Sequence, residues 1–186
     1  RKNVVVYVWA KDAYGHYSIA VSDSIHIDTV RPTFTGGASL RLENGSRYTN
    51  DKNVYYRISN IVDSGVDQSG LSCYYYNHVN NSGTSNGFFI QGATGVINTA
   101  ETGWVNFWVW GVDRAGNIQN RALYRNILID LVEPSTGSIV LQNDLTYWNS
   151  TVAQVRWSGF SDNNDATRGL AGYYFGTTNN EGTMSG

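Results

Sequence analysis

A length of 186 residues allows one or two domains, and a hydrophobic fraction of 41% supplies ample material for a packed core, so disorder is excluded as the general state. Charged residues make up only 15%, against roughly 25% in an average soluble domain. The net charge is −2 with no basic run, which disfavours nucleic acid or an acidic membrane as an electrostatic partner. No apolar run approaches the roughly 20 residues of a spanning helix. The single cysteine, Cys73, excludes an internal disulfide, which fits a bacterial or archaeal origin better than a secreted eukaryotic one.

In chain order, the first segment alternates with period two. Val4, Val6, Val8 and Ala10 share one face, expected in a core, and Val5, Tyr7 and Trp9 share the other. Asp12-Ala13-Tyr14-Gly15-His16 reads as a tight hairpin turn, in which Asp12 accepts backbone N–H groups and Gly15 takes a positive φ. A strand ending Ile25-His26-Ile27-Asp28 leads to Pro32, whose fixed φ gives a short, stiff exit. Seven strands follow, at Ser39–Leu42, Val54–Ser59, Leu71–Tyr76, Gly87–Gln91, Thr94–Asn98, Trp104–Val112 and Ala122–Ile129. The turn returns as Asp113-Arg114-Ala115-Gly116-Asn117, and the exit as Ile129-Asp130 and Pro134.

These returns lie about 100 residues apart. A second set recurs at nearly the same interval: Arg57, Asp63, Gly70-Leu71 and Tyr74-Tyr75 match Arg156, Asp162, Gly169-Leu170 and Tyr173-Tyr174. A unit of that size is a small sandwich domain rather than a short solenoid repeat. The expected organisation is all-β: residues 1–32 are the last two strands of an immunoglobulin-like repeat, 33–134 a complete sandwich of about seven strands, and 135–186 the first three strands of a further repeat. The terminal pieces are nearly complementary parts of one repeat. Either the chain is an excerpt of a longer polypeptide, which is the favoured expectation, or neighbouring copies complete each other by strand exchange.

The motifs Val109-x-Gly111-x-Asp113-x-Ala115-Gly116-Asn117, Ile129-Asp130…Pro134 and Asp63…Ser69-Gly70-Leu71…Tyr74 resemble those of tandem bacterial immunoglobulin-like, fibronectin-type-III-like repeats of large cell-surface proteins. The first copy departs with Tyr14 and His16 where Ala and Asn are usual, and the third has Arg168 in place of Ser. The resemblance implies a tandem sandwich fold and an extracellular or cell-surface setting, where such repeats serve mostly as spacers or stalks.

Candidate chemistry is sparse. His16, His26 and His78 do not recur at matching positions and read as surface residues, Cys73 reads as an inert thiol, buried or half-buried, and no catalytic set is expected. Weak calcium candidates are Asp63 and Asp67, with Asp162 and Asp165 in the counterpart loop. Asp28 and Asp130 stand at the exits, where carboxylates of adjoining units could meet a hard cation. The competing reading of these acids is turn capping. The sharpest candidate is an outward aromatic face made of Tyr75, Trp108 and Trp110, with Tyr7, Trp9 and Tyr174 in the partial copies. The leading expectation is a non-catalytic stalk, adhesin or filament segment whose partners are neighbouring repeats or copies, a surface polysaccharide or another cell. The alternative is a carbohydrate-binding module using the aromatic face.

Overall fold

The computed structural model describes residues 2–66, 68–81, 87–162 and 169–177, and every regular element longer than a single turn is a β-strand. The chain divides into two compact units, 1–129 and 130–186. In the first unit, β1 (Lys2–Val8) and β2 (Val21–Ile27) form an antiparallel hairpin. There follow β3 (Thr33–Leu42), β4 (Tyr48–Thr49), β5 (Asn53–Val62), β6 (Leu71–Asn77), β7 (Phe88–Ile90), β8 (Thr94–Asn98), β9 (Gly103–Asp113) and β10 (Leu123–Ile129). They make two sheets, one ordered β3-β5-β8 and the other β4-β10-β9-β6-β7. All neighbours pair antiparallel except β4 and β10, which run parallel.

The two sheets share one core, so residues 33–129 form a β-sandwich. Leu40, Leu42, Val54, Tyr56, Ile58, Ile61 and Ile97 enter from the smaller sheet. Tyr74, Tyr76, Ile90, Val105, Phe107, Val109, Leu123, Ile127 and Ile129 meet them from the larger. The alternation in β9 assigns this inner face correctly: Val105, Phe107 and Val109 are buried, and Gly111 faces Ile61 and Leu71 so closely that a Cβ would sit 2.5 Å from Ile61 Cγ2. Each large apolar side chain so buried contributes about 1.5–3 kcal/mol of transfer free energy.

All seven expected strands form, with two differences. The first begins at Thr33 rather than Ser39, because the Gly36-Gly37 break is bridged by a bulge instead of ending the strand. Gly37 has φ 76° and the Asn60 side-chain amide donates to Gly36 O at 2.8 Å. The additional strand β4 is only two residues long and depends on a non-local partner, the end of β10, which no local pattern signals.

In β1 the expected core face is not buried. Val6 and Val8 are exposed and Val4 is half-buried, because among the described residues β1 pairs only with β2 and no second sheet covers that face. In the second unit β11 (Ser138–Leu141) and β12 (Val155–Ser158) pair antiparallel. A third strand is absent among the described residues: 169–177, including Tyr173 and Tyr174, carry no strand. Tyr173 instead packs its ring on Trp157 and Phe160, at centroid distances of 5.4 and 5.8 Å.

Local geometry repeats along with the sequence. A 3₁₀ turn with left-handed residues closes β3 at Glu43–Gly45 and closes β11 at Gln142–Asp144. Asn44 has φ 53° and Asn143 φ 52°, a region that Asn tolerates better than most side chains.

Candidate functional site: a carboxylate junction and an outer aromatic face

The recurring turn is built the same way twice. Asp113 N–H donates to Asn117 O and Gly116 N–H to Asp113 O, while Asp113 Oδ1 accepts Asn117 N–H and Oδ2 accepts the Asn117 side-chain amide, both at 2.8 Å. In the first copy Asp12 Oδ1 accepts Tyr14 and His16 N–H at 2.9 and 2.8 Å, and Oδ2 meets His16 Nδ1 at 2.8 Å. His16 therefore occupies the role of Asn117 through a ring nitrogen, which explains that departure from the repeat motif. These hydrogen bonds, those from His16 foremost, hold the Asp12 carboxyl below its ordinary value. Gly15 and Gly116, at φ 96° and 88°, take the left-handed corner of each turn.

The exits also recur. Asp28 Oδ1 accepts Val30 N–H at 2.9 Å, and Asp130 Oδ1 accepts Val132 N–H at 3.1 Å. The first exit is fastened to the sandwich. Ser69 N–H donates to Asp28 Oδ2 at 2.6 Å, Asn117 Nδ2 to Asp28 O at 3.2 Å, and Arg31 to Ile118 O and to the Asn120 side chain. Pro32 is fully buried, so it acts as a packed part of this junction rather than as a free linker, whereas Pro134 is exposed. The Asp28 carboxyl lies below its ordinary value, chiefly because the Ser69 side chain hydrogen-bonds it, with Val30 N–H adding to the effect.

This fastening brings Asp28 to Asp63, at the end of β5, and to Asp113, at the end of β9. One carboxylate oxygen from each lies within 4.8 Å of the others. Asp113 is buried, and Asp28 and Asp63 are half-buried. Asp63 Oδ2 accepts Gly70 N–H at 2.6 Å, but its Oδ1 is buried with no partner. Arg114 lies beside Gly70 yet makes no ion pair with the three acids, and among the described residues none of them is paired with a cation. Like charges so close repel, and the repulsion is poorly screened where water is excluded. The sequence singled out Asp63 and mentioned Asp28 at the exit, but read Asp113 only as a turn residue. The expected partner Asp67, and Asp165 in the counterpart loop, lie outside the described residues. Asp162, the counterpart of Asp63, also has a buried Oδ1 without a partner.

The aromatic face is partly corrected. Tyr75 and Trp110 lie directly opposite each other on β6 and β9, and Trp108 is half-buried. Trp110, however, is 0% exposed, and it is buried on the side of the sheet away from the shared core, where its register neighbours include buried Cys73 and Val112. Period-two alternation identifies the face of a residue but not what lies over that face. What remains open on this side is Trp104 at 51%, Tyr124 at 47% and Phe89 at 56% exposure, none of them singled out from the sequence. Trp108 and Tyr124 form a cross-strand pair with ring centroids 4.4 Å apart, and Tyr124 Oη donates to Asn106 Oδ1 at 2.9 Å. Tyr7, Trp9 and Tyr174 are exposed, but so are Val6 and Val8 on the opposite face of β1.

Burial raises the Cys73 thiol, in keeping with an inert role. His78 is not a surface residue: it is half-buried between Tyr76 and Phe107, with Nδ1 2.9 Å from Asn106 O. No helix among the described residues is long and apolar enough to cross a membrane. No protein-family model matches the chain, and no curated protein matches it.

Proposed function

We propose that the chain is a non-catalytic structural segment of a long extracellular or cell-surface array of immunoglobulin-like sandwiches, a stalk, adhesin or filament. The observation that carries this reading is the fastened exit. Asp28, Arg31 and Pro32 leave one hairpin and lock onto the adjoining sandwich, and the same Asp-turn-Pro exit recurs at Asp130 and Pro134. The strand orders β3-β5-β8 and β4-β10-β9-β6-β7 support the immunoglobulin-like assignment, since that fold divides its Greek-key strands between two sheets in this manner. The repeated turns at Asp12 and Asp113, and at Glu43 and Gln142, support a tandem origin. The partners in this reading are neighbouring repeats or copies.

Small-angle scattering of the chain and of a head-to-tail fusion of two copies tests it. A single compact body of this length has a radius of gyration of roughly 16 Å. The array reading expects a larger value, and a longest dimension that grows steadily with copy number. A fusion that stays compact contradicts it.

A second reading, polysaccharide binding, is favoured by the half-open Trp108–Tyr124 pair with Trp104 on the same side of β9, because flat exposed rings can stack on sugar faces. Under this reading Trp108→Ala and Tyr124→Ala abolish retention on a polysaccharide column while leaving the fold intact. Failure of the intact chain to bind any of a broad glycan panel removes it.

A further inference from the structure

We propose that the outer face of the smaller sheet binds an anionic sugar of an acidic polysaccharide, with Arg41 and Arg57 holding the anion and Tyr55 meeting the ring. Alternation along β3 and β5 sends Leu40, Leu42, Val54, Tyr56 and Ile58 into the core, which leaves Arg41, Tyr55 and Arg57 on the opposite side. Arg41 and Arg57 are direct cross-strand partners, and like charges so placed destabilise a strand pair. Among the described residues neither guanidinium has an ion pair or a hydrogen bond. Glu43, beside this face, is engaged elsewhere: its Oε1 accepts Tyr55 N–H at 2.6 Å. The fold does not impose the arrangement. In the counterpart hairpin of β11 and β12, Arg156, the match of Arg57, stands opposite the uncharged Val140.

These side chains line a cleft of about 360 Å³ together with Asn44, Thr94 and Val96, a volume at the lower end of the range for small-molecule sites. Each guanidinium is a planar fork of N–H donors, so the two together match the paired oxygens of a uronate carboxylate or a sulfate ester. Asn44 and Thr94 add neutral hydrogen-bonding groups suited to hydroxyls. Tyr55 and Val96 are cross-strand partners, 57% and 45% exposed, and supply an apolar surface for the C–H face of a sugar ring. An acidic peptide fits less well. The cleft centres on β5, whose two neighbours in the sheet are β3 and β8, so no peptide strand can add there. With a net charge of −2 the chain has no general attraction for polyanions, and recognition falls to this local pair.

The site goes beyond the array reading, which stands if the site fails, and it lies on the other sheet from Trp108 and Tyr124. The chain is titrated calorimetrically with polygalacturonate, dextran sulfate, neutral dextran and poly-L-glutamate at one ionic strength. We expect saturable binding of polygalacturonate or dextran sulfate, and the preference between them identifies the anion. Arg41→Gln and Arg57→Gln each weaken that binding about tenfold or more, and Tyr55→Ala weakens it severalfold. Arg121→Gln, which removes the same charge from an exposed position outside the cleft, leaves it unchanged. Relief of the opposed charges keeps or raises the urea midpoint of Arg57→Gln while binding is lost, an outcome that a purely structural arginine would not give. Nuclear magnetic resonance keeps the inference testable should a variant fail to fold: the bound polysaccharide shifts the Arg41 and Arg57 Nε–H resonances of the wild-type chain. Absence of both saturable heat and these shifts with either anionic polysaccharide overturns the site. So does wild-type affinity in a folded Arg57→Gln, or equal affinity for neutral dextran or poly-L-glutamate.

Discussion

Trp110→Ala separates a buried structural tryptophan from a contact residue. The side chain is 0% exposed, and truncating a buried Trp to Ala costs about 3–5 kcal/mol through lost transfer energy and the cavity left behind. Its Nε1–H has no partner, and relief of a buried unsatisfied donor offsets part of that loss. The expected destabilisation therefore falls near the lower end, about 3 kcal/mol. Trp110→Phe keeps most of the apolar volume and removes the orphan donor, so its expected cost is smaller, about 1 kcal/mol or less. Trp108→Ala, at a half-buried position stacked on Tyr124, forfeits a pair interaction of about 0.5–1.5 kcal/mol. Urea denaturation followed by far-ultraviolet circular dichroism ranks the three, provided that the slopes agree and only the midpoints move. A Trp110→Ala midpoint equal to or above that of Trp108→Ala refutes the reasoning and restores Trp110 as an exposed contact residue.

Two further outcomes follow from local geometry. Gly111→Ala places a Cβ 2.5 Å from Ile61 Cγ2 and 3.1 Å from Leu71 Cδ1, so overpacking should destabilise the sandwich by about 1–3 kcal/mol; a denaturation midpoint equal to wild type would show that the core yields there. The Asp12 carboxyl is held below its ordinary value of 3.8 by His16, so its contribution to the first turn is complete above that value and is lost as pH falls through the lower folded value. An acid titration followed by the Tyr14 and His16 amide resonances should show a midpoint below 3.8, and a midpoint above it would mean that the hydrogen bonds do not hold in solution.

Local pattern carried most of the fold. Alternation in β9 placed Val105, Phe107 and Val109 in the core, and the Asp-x-x-Gly turns formed where they were expected because their hydrogen bonds close within five residues. What escaped depended on distant partners. Strand β4 exists through its pairing with β10, and Val6 and Val8 have the pattern of a core face but no opposing sheet among the described residues. The burial of Trp110 arises from what lies over the outer side of the sheet, to which period two is blind. The carboxylate group was half legible. Asp28 and Asp63 were named for their loops, but the meeting with Asp113 requires the exit to fold back onto Ser69 and Asn117. Asp113 and Asp12 stand at the same end of matching strands, and the turn hydrogen bonds each makes account for that recurrence without reference to Asp28 or Asp63.

The fastened exit is the centre of the account, and nitrogen-15 relaxation of the backbone amides in residues 28–34 tests it most directly. Bound to the sandwich through Asp28, Arg31 and Pro32, these amides should have order parameters equal to those of β9, about 0.85. Arg31→Ala should lower them by removing the bonds to Ile118 and Asn120. Wild-type values below about 0.6 across the segment would make it a flexible tether and contradict the rigid junction on which the array reading depends.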